Sequence, residues 1–171
     1  MPLAKRCRWS KLACYDPGMP DLLEVRRKAE KGSVVNQGYL GWAYLYGHDT
    51  EVNYPEALRW LTAAAYEGRA ARPFIHLGRM YEEALGVPRD IKEAIRHYEA
   101  VQDVEPRAAL ALARIYAKGD GVPSKPAKAL RLYALVAKCE CLDQNPEVVA
   151  LTGAVTPTEV EEARAYVREQ R

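Results

Sequence analysis

The sequence predicts an all-α solenoid, a stack of helical hairpins in which each repeat packs on its neighbours. A five-residue stretch, Leu-Gly-Trp-Ala-Tyr at 40–44, returns in similar form at 77–81 and 112–116, at spacings of 37 and 35 residues. The turn Gly-Val-Pro at 86–88 recurs at 121–123, again 35 residues later. A fixed period near this length is typical of paired-helix repeats, because one hairpin buries its apolar face only by stacking on another.

The 171 residues suffice for one domain, and the period divides them into three repeats between two capping units. Capping units are expected because a terminal repeat would otherwise expose its apolar face. The predicted boundaries are 1–32 for the N-terminal capping helices, 33–68, 69–104 and 105–138 for repeats 1 to 3, and 139–171 for the C-terminal capping segment.

Each repeat is predicted to hold a first and a second helix, which in repeat 1 cover 34–46 and 54–67. The N-terminal unit is expected to contain helices at 3–14 and 21–31. At the other end, a short helix at 146–151 and a last helix capped by Thr156 are expected.

Loop residues mark where these helices begin and end. Asn53 and Asp90 are expected to cap second helices, each with a glutamate three residues later that closes a capping box, and Ser124 is the expected third cap. Gly86 and Gly121 are expected to end first helices with a positive φ, which a side chain would oppose.

Small residues at one position of the first helices, Gly41, Gly78 and Ala113, should let the second helix approach closely. The tyrosines three residues later should fill the space opposite. Aromatic residues at this spacing are typical of a core rather than of a ligand site.

The combination of Leu-Gly-x-x-Tyr, a Gly-Val turn, an acidic or Asn cap, Glu/Lys-Ala and Ala-Ala-x-x-Gly resembles the Sel1-like repeats, which are relatives of the tetratricopeptide repeats. The resemblance covers about 34–138. Three departures concern loops: Asp49-Thr50 replaces a Gly-Val pair, Ala84 replaces a glycine, and Lys125 occupies an acidic position.

The resemblance implies a right-handed superhelix of antiparallel helix pairs that acts as a protein-interaction scaffold. Most such proteins are bacterial, and they include adaptors of envelope assemblies, signalling scaffolds and immunity proteins that neutralise secreted toxins. A disulfide-bridged subgroup has paired cysteines inside every repeat. This chain has none there, so the resemblance does not extend to that subgroup.

In such folds the side chains of the first helices that are not used for packing line a concave face. The offsets from the leucine of each repeat place the following residues on it: Val35, Trp42, Leu45 and Tyr46; Arg72, Ile75, Arg79 and Glu82; Arg107, Leu110, Arg114 and Lys118.

Arginines recur on this face, since Arg72 and Arg107 are 35 residues apart, as are Arg79 and Arg114. Arginine matches planar carboxylates, and Trp, Tyr and Arg dominate binding hot spots. The hypothesis is that the groove binds an acidic protein segment, with Trp42 and Tyr46 as anchors. The alternative is a solvated charged face.

A second basic row, Arg59, Arg96 and Arg131, falls on the second helices, where a solubilising role is expected. Trp60, His97 and Leu132 occupy the next position, and Trp60 is expected to be partly exposed.

The charge pattern argues against nucleic acid as the partner. The net charge is only +2, and four cations fall within the first 20 residues, whereas nucleic-acid binders carry a larger clustered excess. A basic N-terminal segment that contacts nucleic acid or a membrane surface is the minor alternative. No run reaches the roughly 18 apolar residues of a membrane span.

The four cysteines, Cys7, Cys14, Cys139 and Cys141, lie outside the repeats. On one helix Cys7 and Cys14 would be about 10 Å apart, too far for a disulfide. Free thiols in a reducing compartment are expected, with no metal and no cofactor. The predicted location is the cytoplasm, or the periplasm if a leader has been removed.

Catalysis has little support in the sequence. No Gly-x-Ser-x-Gly or phosphate loop occurs, and the three histidines fall at unrelated positions of the repeat. His48-Asp49 is interpreted as loop polarity rather than a dyad. The chain is therefore predicted to be a non-catalytic binding module for another protein. An immunity-type inhibitor is favoured over an adaptor because no second module or anchor is visible, and an enzyme is the remaining alternative.

Overall fold

The computed structural model describes residues 21–137 and three single positions, Thr156, Thr158 and Ala165. Within this part of the chain all regular structure is helical. The α-helices are α1 (Leu22–Glu30), α2 (Val34–Tyr46), α3 (Tyr54–Thr62), α4 (Ala71–Glu83), α5 (Ile91–Glu99), α6 (Pro106–Lys118) and α7 (Pro126–Ala137).

The helices form three hairpins, α2/α3, α4/α5 and α6/α7, and α1 packs on α2. We call α2, α4 and α6 the first helices and α3, α5 and α7 the second helices. Helix α3 continues as a π-helical turn, Ala63–Glu67, so the second helix of repeat 1 ends where the sequence predicts. The prediction of an all-α solenoid is confirmed.

The two helices of a hairpin approach closely at the small residues of the first helix. A Cβ at Gly41 would lie 2.7 Å from Cγ of Leu61, and one at Gly78 would lie 2.5 Å from the ring of Tyr98. Real side chains do not tolerate such distances, so glycine is required at both positions. Ala113 occupies the same position in the third hairpin and is fully buried.

The core is a strip made of two clusters. One surrounds Leu40, Leu61 and Leu77 and includes residues of α1, and the other runs from Ile91 to Tyr133. Phe74 packs partly against both clusters, which joins the repeats into one apolar layer. This continuity is expected for a fold in which each repeat is stabilised by its neighbours.

Asn53 and Asp90 cap second helices as predicted. Asn53 Oδ1 accepts a hydrogen bond from the Glu56 amide at 3.1 Å, and Asp90 Oδ1 accepts one from the Glu93 amide at 3.1 Å. The reciprocal half of the expected capping box does not form in repeat 1. The Asn53 backbone amide donates instead to a carbonyl near the end of α2, and the Glu56 carboxylate accepts from Trp60 Nε1 at 2.8 Å.

The prediction that Ser124 caps α7, the second helix of repeat 3, is wrong. Helix α7 begins at Pro126, and the Ser124 hydroxyl donates to the carbonyls of Tyr116 and Ala117 at 3.2 Å each. The Lys125 amide donates to Tyr116 O at 2.8 Å, the bond that Asn53 makes in repeat 1, so Lys125 takes the cap position. Ser124 lies one residue before the cap position, so its hydroxyl binds the end of the preceding helix instead.

Gly86 and Gly121 have positive φ as predicted, 71° in each case, but they do not end the first helices. Helices α4 and α6 have left-handed caps two residues earlier, at Ala84 and Gly119, and α2 has the same kind of cap at Gly47. The loop glycines instead let the loop touch the preceding repeat. A Cβ at Gly86 would overlap Cβ of Tyr54, and one at Gly121 would reach 2.7 Å from Ile91.

The N-terminal helix α1 is capped by Asp21, whose carboxylate accepts from the Leu23 amide at 3.2 Å. Gln37 of α2 donates to Ala29 O at 3.2 Å and so joins α1 to repeat 1. The helices predicted at 3–14 and 146–151 lie outside the described residues. Thr158 and Ala165 are helical and Thr156 is not, which agrees with the predicted last helix.

We expect Ala84→Gly to stabilise the protein. Ala84 is exposed and has a φ of 58°, a conformation that costs an L-residue with a Cβ roughly 1 kcal/mol relative to glycine. Urea unfolding followed by circular dichroism should therefore give a free energy of unfolding about 1 kcal/mol higher.

Gly32→Ala is the mirror control, because Gly32 has a φ of 87° and a Cβ added there would have no atom within 4 Å. It should lose about 1 kcal/mol through backbone conformation alone. A neutral or destabilising Ala84→Gly would show that the cap at residue 84 is not strained.

Candidate functional site

Helix α2 packs on α4, and Arg72 of α4 reaches Glu105 just before α6, so the first helices share one surface, which we call the groove face. It comprises the side chains of α2, α4 and α6 that are not buried in the core. Two features distinguish it: an aromatic cluster on α2 and a set of arginines on α4 and α6.

The aromatic cluster is formed by three side chains spaced along α2. The ring centroids of Tyr39 and Trp42 are 5.5 Å apart, and those of Trp42 and Tyr46 are 6.0 Å apart. His48, in the loop after α2, lies 4.7 Å from the Trp42 ring. Residues three and four apart share one face of a helix, so this row follows from sequence spacing.

Tyr46 connects the aromatic cluster to α4. Its hydroxyl lies 3.3 Å from Nδ1 of His76 and accepts a hydrogen bond from Nη1 of Arg79 at 3.2 Å. The Arg79 guanidinium carbon also lies 5.5 Å from the Tyr46 ring centroid, within range of a cation–π interaction. Because Arg79 donates to the hydroxyl oxygen, the tyrosine proton can be donated to His76.

His76 is neutral at pH 7, which suits it to accept that proton. Burial is the main cause that lowers the His76 pKa to about 4, and Arg79, Arg107 and Arg72 lower it further through their positive charge. The positive charges of arginines from α4 and α6 thus act on the neutral ring of His76. We call Tyr46, His76, Arg79, Arg72 and Arg107 the arginine–histidine cluster.

Carboxylates balance part of this positive charge. Arg79 Nε donates to Glu83 at 2.7 Å within α4. Arg72, whose side chain is 77% exposed, reaches Glu105 only at 3.9 Å, so this pair is loose. Arg72 and Arg107 are both exposed, so the cluster presents positive charge to the solvent.

The other predicted groove residues differ in placement. Val35 is 82% exposed, and Arg114 and Lys118 are exposed on α6. Ile75 and Leu110 are partly buried against the core. Glu82 is partly buried and accepts a hydrogen bond from Tyr98 at 2.7 Å, so its carboxylate is engaged inside the hairpin.

Leu45 does not lie on the groove face. It is 3% exposed and belongs to the core cluster, which corrects its predicted placement. Leu45 is buried because of the rotation of α2 about its axis. It follows Tyr44, which is also buried, and both side chains point toward the core.

His76 is the residue that sequence reasoning missed, because the three histidines occupy unrelated positions of the repeat. The available signal was its offset, since His76 directly precedes the repeat leucine as Tyr39 does in repeat 1. Two ring-bearing residues at one offset could have marked that position as part of the face.

The second helices expose Arg59 and Arg96, each paired with a glutamate three residues earlier, at 3.7 Å and 2.9 Å. The expectation that Trp60 is partly exposed is wrong, since Trp60 is 4% exposed and His97 is 5% exposed. His97 contacts the neighbouring repeat. Tyr66 of repeat 1, for example, places its hydroxyl 3.2 Å from His97 Nδ1.

Within residues 21–137 and the three single positions, no group of three or more His, Cys, Asp or Glu side chains is placed to hold a metal ion. The four cysteines lie outside the described residues. His48 Nδ1 lies 3.0 Å from the carboxylate of its neighbour Asp49. Among the helices described, none is long and apolar enough to cross a bilayer.

The neutral state of His76 predicts a pH dependence of stability. The unfolded chain binds the His76 proton near the ordinary pKa of about 6.5, whereas the folded chain binds it only near pH 4. The free energy of unfolding therefore falls as the pH drops from 7 toward 4, because the unfolded state takes up more protons.

His76→Gln should remove part of this fall while keeping a hydrogen-bonding partner for Tyr46. Between pH 7 and pH 5 the variant should lose about 2 kcal/mol less than the unsubstituted protein, as measured by urea unfolding at each pH. Some dependence should remain, because burial also lowers the pKa of His97. Equal losses in both proteins would contradict the assignment.

Comparison with known proteins identifies the repeats. The profile of the Sel1 repeat family matches residues 37–68, 75–100 and 106–139, which together make up more than half of the chain. Protein sel-1 homolog 2 is 39% identical in Mus musculus and 37% in Homo sapiens over 87 residues. Each match covers 51% of this chain and 13% of the relative, so the chain spans about an eighth of these relatives.

Two solved structures share the fold. A Sel1 repeat protein from Oxalobacter formigenes aligns with a TM-score of 0.60 and 33% identity, over 80% of this chain and 100% of that one. The protein c5321, a protective antigen present in uropathogenic Escherichia coli strains, aligns with a TM-score of 0.69 and 26% identity, over 89% of this chain and 34% of that one. The chain belongs to the Sel1 repeat family.

Proposed function

We propose that this protein is a non-catalytic interaction module that binds a partner protein on the groove face. The observation that carries the proposal is the arginine–histidine cluster, in which side chains of α2, α4 and α6 meet at an exposed surface. Sel1 repeats typically mediate protein–protein interactions, which supports the general assignment. Tyr, Trp and Arg are the residue types that dominate binding hot spots.

The proposed partner segment is acidic. The groove face, together with Glu105 just before α6, carries five cations against three carboxylates, of which Glu82 is already engaged by Tyr98. Arginine binds carboxylates through paired hydrogen bonds, which gives both affinity and orientation. The cations are Arg72, Arg79, Arg107, Arg114 and Lys118, and the carboxylates are Glu82, Glu83 and Glu105.

Within this class we propose an immunity-type inhibitor of a secreted bacterial toxin or effector as the first candidate. A rigid face with arginine and aromatic anchors is suited to covering an acidic patch on an enzyme. An adaptor is the second candidate, and it is favoured by the much greater length of the sel-1 homologs. We place the protein in the cytoplasm, where its four cysteines would remain thiols.

Reversing two groove charges should weaken the complex. Arg79→Glu combined with Arg114→Glu replaces attraction of an acidic segment by repulsion, so affinity for the partner should fall at least about tenfold, the equivalent of 1.4 kcal/mol. The partner is first identified by affinity purification from the native cell with mass spectrometry, and its affinity is then measured by calorimetry.

Arg59→Glu combined with Arg96→Glu is the matched control. It makes the same change in net charge on the second helices, where both arginines are exposed and paired with a glutamate as Arg79 is. The control should bind normally. Equal binding by both double variants, with thermal unfolding unchanged, would rule out the groove face as the binding surface.

The two candidate functions differ in their effect on the partner. If the protein is an inhibitor, the purified partner should be an enzyme whose activity falls in proportion to added chain and stops near one equivalent. The Arg79→Glu, Arg114→Glu variant should leave that activity unaffected. A partner whose activity is unchanged in a saturated complex would favour the adaptor.

A further inference from the structure

The groove face changes in character from one repeat to the next. Helix α2 has no charged residue in its sequence, and its groove residues Val35, Trp42 and Tyr46 are apolar or aromatic. Helices α4 and α6 contribute the arginines. An elongated ligand would therefore meet an apolar end at repeat 1 and a cationic region at repeats 2 and 3.

The two regions are close enough to contact neighbouring residues of one ligand. The Trp42 ring lies 6.0 Å from Tyr46, and Tyr46 lies 5.7 Å from His76. Trp42 and His76 are thus separated by at most about 12 Å. An extended chain rises about 3.3 Å per residue, so this distance corresponds to no more than four residues.

The cationic region has donors to offer an anion. Arg79 uses Nε for Glu83 and Nη1 for Tyr46, whereas a guanidinium has five N–H donors. Among the described residues, the ion pair of Arg72 with Glu105 is 3.9 Å long, so Arg72 can turn to a ligand. Tyr46, 38% exposed, borders both regions.

From this geometry we propose that the groove recognises an extended acidic segment of a partner protein with a defined spacing. An aromatic or large aliphatic residue packs on Trp42 and Tyr46, and an Asp or Glu two to four positions away binds among Arg79, Arg72 and Arg107. This inference rests on the proposed function and specifies the chemistry of its partner.

The local charge favours a peptide over a nucleic acid. Glu83 and Glu105 lie among the arginines, at 2.7 Å from Arg79 and 3.9 Å from Arg72. A polyphosphate would be repelled by these carboxylates at repeats 2 and 3, whereas one or two peptide carboxylates need only the arginine donors. A short acidic segment is therefore the better match in charge.

Selection from a random 12-residue peptide display library on the full chain tests the proposal. We expect enriched peptides to contain Trp, Phe, Tyr, Leu or Ile two to four positions from Asp or Glu. A synthetic enriched peptide should bind at least tenfold more tightly than a peptide of the same composition with the two residues eight positions apart, measured by fluorescence anisotropy.

Two variants assign the two ends of the segment. Selection on Arg79→Glu should lose the acidic preference and retain the apolar one. Selection on Trp42→Ala should lose the apolar preference and retain the acidic one. Selection on Arg59→Glu, the control, should give the same peptides as the unsubstituted protein. Thermal unfolding of each variant verifies that it is folded, and Trp42→Gln replaces Trp42→Ala if the latter is not.

The outcomes separate this inference from the proposed function. Acidic peptides that bind equally well at every spacing would overturn the spacing and leave the interaction module intact. If no peptide is enriched over the Arg79→Glu, Arg114→Glu variant, this inference fails, whereas the proposed function is judged by the affinity of the purified partner for that same variant. A labelled 12-nucleotide single-stranded RNA that binds more tightly than every enriched peptide would also overturn the inference.

Discussion

Close packing between the two helices of each hairpin is the constraint on which the rest of the structure depends. Gly41 against Leu61 and Gly78 against Tyr98 leave no room for a Cβ. Interiors are packed with few voids, so these contacts fix the rotation of each first helix about its own axis. That rotation decides which residues are left for the groove face, and it is why Leu45 is buried while Tyr46 is exposed.

Contacts between repeats add a second level of order. The loop at Gly86 touches Tyr54 of the preceding repeat, and Tyr66 places its hydroxyl next to His97 of the following one. Each repeat therefore completes its neighbour, as expected for a quasi-one-dimensional fold. The same contacts hold adjacent first helices in register, so that Tyr46 meets His76 and Arg79 at hydrogen-bond distance.

The neutral state of His76 among arginines follows from its surroundings. Burial and the three nearby cations favour the uncharged ring, which adds no repulsion to the cluster and can accept the Tyr46 proton. The guanidinium of Arg79 is in turn held by Glu83 and Tyr46. The donors of Arg79 are therefore positioned at a surface, and such preorganisation lowers the entropic cost of binding.

The sequence by itself determined the features that depend on neighbours along the chain. The period near 35 residues predicted the solenoid, and the caps at Asn53 and Asp90 followed from hydrogen bonds that span three residues. Spacing along α2 likewise placed Trp42 and Tyr46 on one face. Tertiary structure alone decided the burial of Trp60 and the cluster at His76. Both depend on how helices rotate and pack against one another, and in the cluster the contacting residues Tyr46 and His76 are 30 positions apart in the sequence.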